Sequence, residues 1–186
     1  MKINIFSSLD LMLYRIEANK VQPIRDWPEY FMSYKLVIYK PKLLSLGKYD
    51  LNPFINSLWQ LLTFGKTRVL LLFDKTVKVH YFYFTPKTYR FGYMNKTDIN
   101  LAQAFTWPAY RRKGILTNVL KLIFAYNSNK CKYIWGYCHI DNSASQKALE
   151  RAGMEFVSYA RMSRFTRIVH MVEAVSYTHL TLPTNR

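Results

Sequence analysis

A strand-like segment, a basic turn and an amphipathic helix follow one another without a break between Asp98 and Asn127, and this order constrains the chain more than any other feature. Ile99 to Thr106 reads as a strand, and Trp107-Pro108 ends it. Tyr110-Arg111-Arg112-Lys113-Gly114 reads as a tight turn. Ile115, Val119, Leu122, Ile123 and Tyr126 then form an apolar stripe at helical spacing. The first N–H groups of a helix have no intrahelical partner and attract anions. Glycine lets the backbone come close to a phosphate, and neighbouring Arg and Lys side chains add charge-assisted bonds to the same anion. A turn of this kind suits a pyrophosphate.

Other elements follow from local pattern. Tyr34 to Tyr39 alternates as a strand. Asn52-Pro53 before Phe54, Ile55, Leu58, Leu61 and Leu62 reads as a helix with an Asn cap and Pro in its first turn, ended by Gly65. Arg68 to Phe73 and Val77 to Phe84 read as a hairpin around Asp74-Lys75, and Tyr89 to Met94 as a further short strand. Tyr133 to Cys138 reads as a strand, Asn142 to Ala152 as a helix begun near Asp141, and Phe156 to Arg161 and Arg164 to Val172 as two antiparallel strands. Residues 1 to 33 are mixed and give no clear pattern. The order predicts an α/β (α+β) fold, a mixed sheet with helices on its faces.

The basic turn resembles the acetyl-CoA-binding loop of the GNAT N-acetyltransferase superfamily, Arg/Gln-x-x-Gly-x-Gly/Ala. Arg111 and Gly114 occupy the first two motif positions, and Leu116 stands where Gly or Ala is usual. Downstream, Asn142-Ser-Ala-Ser145-Gln-Lys-Ala-Leu149-Glu-Arg-Ala-Gly153-Met154 is similar to the family's Asn-x-x-Ala/Ser … Gly-Phe helix, with Met154 in place of Phe. The resemblance implies a mostly antiparallel central sheet flanked by helices, with strands splayed where acetyl-CoA binds. It implies that the main chain of Ala104, Phe105 and Thr106 holds the pantetheine arm. The pyrophosphate would lie over Arg111 to Leu116, with Arg112, Lys113 and the N–H groups of Gly114 and Ile115 as donors; Asn142 reads equally as a helix N-cap and, by the resemblance, as a residue facing the arm. It implies direct acetyl transfer to a primary amine, with acetyl-CoA as co-substrate and no metal.

Many relatives place a Tyr four residues after the Ala/Ser position as general acid; here that residue is Leu149. Ser145 or Tyr159 could substitute, or no acid is needed, since a thiolate leaves tolerably at neutral pH. His80, on the strand beside the motif strand, is the candidate base or acceptor-orienting residue because imidazole titrates near neutrality. His139 and Asp141 are secondary candidates, with Asp141 expected to cap the helix. Tyr81, Phe82, Tyr83 and Phe84 are expected in core and sheet surface. His80 to Met94, with Trp59 to Gly65 before it, resembles a GNAT subgroup found with bacterial surface-polysaccharide synthesis, which implies an amino sugar or sugar nucleotide as acceptor. A protein lysine or polyamine acceptor, an acyl-CoA-binding module without turnover, and a basic nucleic-acid-binding domain are the alternatives. The last lacks any recognised motif.

Val175 to Thr184 resembles a translated sequencing adapter, so the expected domain is residues 1–174 with a non-native tail at 175–186. The net charge of +16 falls to +15 without Arg186 and reads either as a Lys-rich solvated surface or as the mark of an anionic partner, for which acetyl-CoA, a nucleotide-linked substrate, nucleic acid or an anionic membrane face would serve; the charge alone does not choose. Cys131 and Cys138 lie about 23 Å apart along an extended strand, too far for a disulfide. Two unpaired thiols and no apolar run near the membrane-spanning length of about 20 residues fit a cytoplasmic domain.

Overall fold

A computed structural model of the chain describes residues 8–42, 49 and 51–172. The adapter-like residues 175–186 and the opening residues 1–7 lie outside them. The elements are β1 (Ser8–Glu17), β2 (Tyr30–Phe31), β3 (Tyr34–Tyr39), α1 (Pro53–Leu62), β4 (Arg68–Asp74), β5 (Val77–Pro86), β6 (Ile99–Thr106), α2 (Ile115–Asn127), β7 (Tyr133–His139), α3 (Ser143–Arg151), β8 (Glu155–Ser163) and β9 (Val169–Met171). Short 3-10 turns occupy Ala18–Lys20 and Pro108–Tyr110.

The nine strands form one open sheet in the order β2-β3-β4-β5-β6-β7-β1-β8-β9. Every neighbouring pair is antiparallel except β6 and β7, which run parallel. On one face α2 and α3 pack over Leu70, Leu72, Phe82, Phe84, Leu101 and Ile134. The stripe that defines α2 supplies its buried side, with Ile115, Val119, Leu122 and Ile123 joined by Leu120 and Phe124. Tyr126 stacks on Trp27 at 4.1 Å. The other face is covered in two patches. Leu51 and Trp59 pack on Val69, Leu71 and Tyr83, and the segment 87–97 places Phe91 and Met94 on Leu11, Leu13, Trp135 and Met162.

β1 occupies the centre of the second half of the sheet, between β7 and β8. Leu11 and Leu13 belong to the core on one face, while Tyr14, with Met12 and Ile16 beside it, belongs to the core on the other. A strand buried on both faces shows no apolar–polar alternation, which is why the opening residues looked patternless. The expected strand Tyr89–Met94 is corrected: this segment forms turns, with Phe91 N donating to Thr88 O and Met94 N to Phe91 O, and its one bridge is Phe91 with Val169. Its inward residues are three apart, so they plug the sheet face instead of running along it.

β6 and β7 share two pairs, Ile99 with Ile134 and Asn100 with Trp135. At their common start, buried Asp98 accepts from Asn95 N at 2.8 Å, Tyr133 N at 3.2 Å and Trp135 Nε1 at 2.9 Å. This carboxylate bolts the 87–97 segment and β7 to β6. Beyond Asn100 the two strands part, and the edge of β6 that faces β7 has no partner strand among the described residues. Opposite, β5 meets β6 with a bulge, because the four residues 101–104 of β6 lie against the three residues 82–84 of β5.

Replacing Asp98 by Ala leaves three donors without this acceptor, the Trp135 indole N–H buried and the other two partly so; a bond to a charge is worth about 1.5–3 kcal/mol when buried and less where solvent reaches the donor. Asp98→Ala is expected to lose about 4 kcal/mol in chemical denaturation, and Asp98→Asn, which keeps an acceptor oxygen, about half of that.

Candidate active site

The gap between β6 and β7 opens into a cavity of about 700 Å³ between the end of β6, the turn 106–114, the start of α2 and one face of α3. The turn is built for this opening. Thr106 O accepts from Arg111 Nε at 3.0 Å, and Trp107 N donates to Val79 O at 3.1 Å. Arg112 and Gly114 both lie in the left-handed region, at φ 63° and 71°. Gly114 adopts this conformation freely, whereas Arg112 holds it at a cost of about 1 kcal/mol or more. The result is an N-terminus of α2 that no side chain caps among the described residues and whose first turn holds no acid. The N–H groups of Ile115 and Leu116 therefore face the cavity as free donors at the positive end of the helix.

Ala104, Phe105, Thr106, Arg111, Arg112, Gly114, Ile115, Leu116, Asn142, Ser145 and His80 all border the cavity. The structure thus brings together the residues selected from sequence, with one exception. Lys113 is not in the cavity wall; its exposed ammonium sits 5.1 Å from the ring centre of Tyr110, which is. The wall holds Lys147 and Arg151 as well, which sequence reasoning missed. They are four apart on α3, on the same helix face as Ala144 and Ala148, and that spacing was the available signal. Tyr110 and Thr117 also line the wall, and the Tyr110 hydroxyl donates to Asp74 Oδ2 at 3.2 Å. Four cations, Arg111, Arg112, Lys147 and Arg151, and no carboxylate line the cavity among the described residues.

Asn142 is the N-cap of α3, accepting from Ser145 N at 3.1 Å. Asp141, expected in that role, instead lies 3.3 Å from His139 Nδ1 on the surface. Gly136 of β7 lets α3 approach, since a Cβ there would stand 3.2 Å from Leu149 and 3.3 Å from Met154. Leu149 is thereby a core residue, and exposed Tyr159 does not border the cavity.

His80 is the main correction. Its ring is fully buried in the cavity wall, with Nδ1 2.8 Å from Thr106 Oγ1 and no partner for Nε2 among the described residues. Burial with no acid beside it lowers its pKa to about 4. Burial thus disfavours the charged ring and works against the expected ionisation near neutrality. The bond to Thr106 makes His80 a brace for the end of β6. Burial likewise pushes the thiols of Cys131 and Cys138 up to about 12 and about 11, and both are free. Among the described residues no three His, Cys, Asp or Glu side chains come together as a metal site, and no helix is long and apolar enough to cross a membrane.

This architecture is the GNAT acetyltransferase fold. Residues 81–155 match the family model described as acetyltransferase (GNAT) domain, a span that runs from within β5 to the start of β8 and contains every cavity-lining residue except His80. A protein from Novosphingobium aromaticivorans assigned to the GNAT family superposes with a TM-score of 0.53 at 13% identity, over 82% of this chain and 62% of its own. A GCN5-related N-acetyltransferase from Sphaerobacter thermophilus superposes at 0.52 and 12% identity, over 81% of this chain and 49% of its own. A tandem GNAT protein from the clavulanic acid biosynthesis pathway superposes at 0.51 and 12% identity, over 84% and 54%. The chain thus spans about half to three-fifths of the length of these structures. A search of curated proteins by sequence found no match.

Because His80 is neutral when folded and titrates near 6.5 when unfolded, protons bind preferentially to the unfolded chain. Its contribution is nil above pH 6.5, and stability falls as pH drops from about 6.5 towards 4, by about 3 kcal/mol at most. His80→Gln is expected to flatten this part of the stability–pH curve measured by denaturant titration. An unchanged slope would place the acid sensitivity elsewhere.

Proposed function

We propose that this chain is an acetyl-CoA-dependent N-acetyltransferase that transfers acetyl directly to a primary amine within a ternary complex. The observation that carries this reading is the cation-lined, carboxylate-free cavity at an uncapped helix N-terminus, placed beside an unpaired strand edge. The donor set fits acetyl-CoA: its phosphates need cations and N–H groups, and its pantetheine amides need main-chain partners in strand geometry. Arg111, Arg112, Lys147 and Arg151 with the N–H groups of Ile115 and Leu116 would hold the phosphates, and the main chain of Ala104 to Thr106 the pantetheine arm. When bound, the co-substrate supplies an activated acyl group at the open edge of β6.

Main-chain N–H groups near Phe105 or Thr106 would stabilise the developing oxyanion, with His80 holding Thr106 in place. Ser145, at the cavity wall, is the candidate to protonate the thiolate. With His80 buried and neutral, the amine proton would pass to water. The acceptor we favour is a small amine on an amino sugar or sugar nucleotide, in the cytoplasm; the phosphates of the nucleotide-linked form would suit a chain of net charge +16. A second reading, an acyl-CoA-binding module without turnover, draws on buried Leu149 and His80, which leave the cavity without an obvious acid–base pair.

Thiol release from acetyl-CoA with a panel of amino sugars, polyamines and lysine peptides separates these readings. Release that depends on one amine class supports the enzyme; tight binding with no release against any amine supports the module. In calorimetry, Arg112→Ala combined with Lys147→Ala is expected to weaken CoA binding by about 10–100-fold with the fold intact, each lost bond costing about 1 kcal/mol after solvent screening. Lys113→Ala is expected to change affinity less than about threefold. Equal losses from Lys113 and from the cavity cations would remove the phosphate assignment.

A further inference from the structure

α1 is built inside out. Beside Trp59, its sheet-facing side carries the polar residues Asn56 and Gln60, and Thr63 follows just beyond the helix, all three buried. Asn56 Oδ1 accepts from the Tyr83 hydroxyl at 2.7 Å, and Gln60 Nε2 donates to Thr67 O at 3.4 Å. Its outer side carries Phe54, Leu58 and Leu61, 75%, 45% and 65% exposed, and Phe64 just beyond it is 91% exposed. Positions 54, 58 and 61 share one helix face. A helix of a freely solvated domain presents the opposite pattern, apolar inward and polar outward.

The apolar face continues beyond the helix. The Arg90 guanidinium lies 5.4 Å from the Trp59 ring of α1 and donates to Arg167 O at 2.9 Å, so it joins α1 to the turn 163–168. Tyr89 and Phe165 on these neighbouring segments are 61% and 75% exposed. The cations beside them, Lys66, Arg164 and Arg167, are exposed as well. None of the stretches 51–66, 87–97 and 163–172 contains an Asp or a Glu.

We propose that this surface, formed by the outer face of α1 and the segments 87–94 and 163–168, seats the protein on an anionic lipid bilayer, with the aromatic and leucine side chains in the interface and the cations on the headgroups. Exposed apolar residues interspersed with cations and free of acids are the makings of an interfacial binding surface. Charge complementarity favours lipid over a second copy of the chain, because pairing two such faces would bring Lys66, Arg164 and Arg167 against their like. No transmembrane segment is needed for this attachment.

Sedimentation with vesicles tests it. The full chain is expected to pellet with phosphatidylcholine vesicles containing about 30% phosphatidylglycerol at physiological ionic strength, and to stay in the supernatant with phosphatidylcholine alone. Phe54→Ser with Leu61→Ser and Phe64→Ser, all at exposed positions, should lower partitioning about tenfold or more while the thermal transition is kept. Should that variant fail to fold, Lys66→Glu with Arg164→Glu serves instead, with loss of partitioning again expected. Failure of the unmodified chain to bind anionic vesicles overturns the proposal. So does partitioning that survives the substitutions, or an equilibrium dimer that the serine variant converts to monomer, which would assign the face to a second copy.

Discussion

Asp98 gathers three donors at the point where β6 and β7 separate, and the functional half of the molecule is arranged around that junction. Parallel strands pair readily when nothing stops them, so a sheet that opens after two pairs needs a firm hinge at the closed end. The carboxylate supplies it by holding the main chain and the indole of β7 together with the segment that precedes β6. The bulge on β6 then turns its last residues, and the left-handed Arg112 and Gly114 swing the chain round so that α2 begins at the mouth of the gap. Strand edge, helix end and cations meet there because each is placed from the same fixed point.

Much of this was legible in the sequence, and the reasons are physical. The turn 107–114 and α2 were readable because a Gly, a run of cations and a helical stripe each report a local backbone demand. α1, β3, β4 and β5 were readable for the same reason. β1 was not, because its apolar residues serve two cores at once. Tyr89 to Met94 misled because aromatic residues in alternation suggest a strand, whereas Phe91 and Met94 are anchors three apart on a folded loop.

The site divides along the same line. Residues whose backbone does the work, Ala104 to Thr106 and Gly114 to Leu116, could be selected from a motif alone. Those acting through side chains depended on which way a helix or turn faces. Lys113 turned to Tyr110, while Lys147 and Arg151 reached the cavity from an element that had been read for its cap. His80 stood on the expected strand and beside the expected partner, yet its chemistry depends on enclosure, which no local pattern records.

The position of β1 has a consequence for how the chain acquires its structure. Leu11 pairs with His139 on one side and with Ala160 on the other, so β1 has both of its neighbours more than a hundred residues later. Until β7 and β8 exist, Leu11, Leu13 and Tyr14 have no sheet to enter, and an unpaired strand with two apolar faces invites wrong association. Closing so long a loop is also slow, which puts this step late on the folding route. Assembly of the second half of the sheet thus waits on a nascent segment that must stay out of aggregates until more than a hundred further residues have been made.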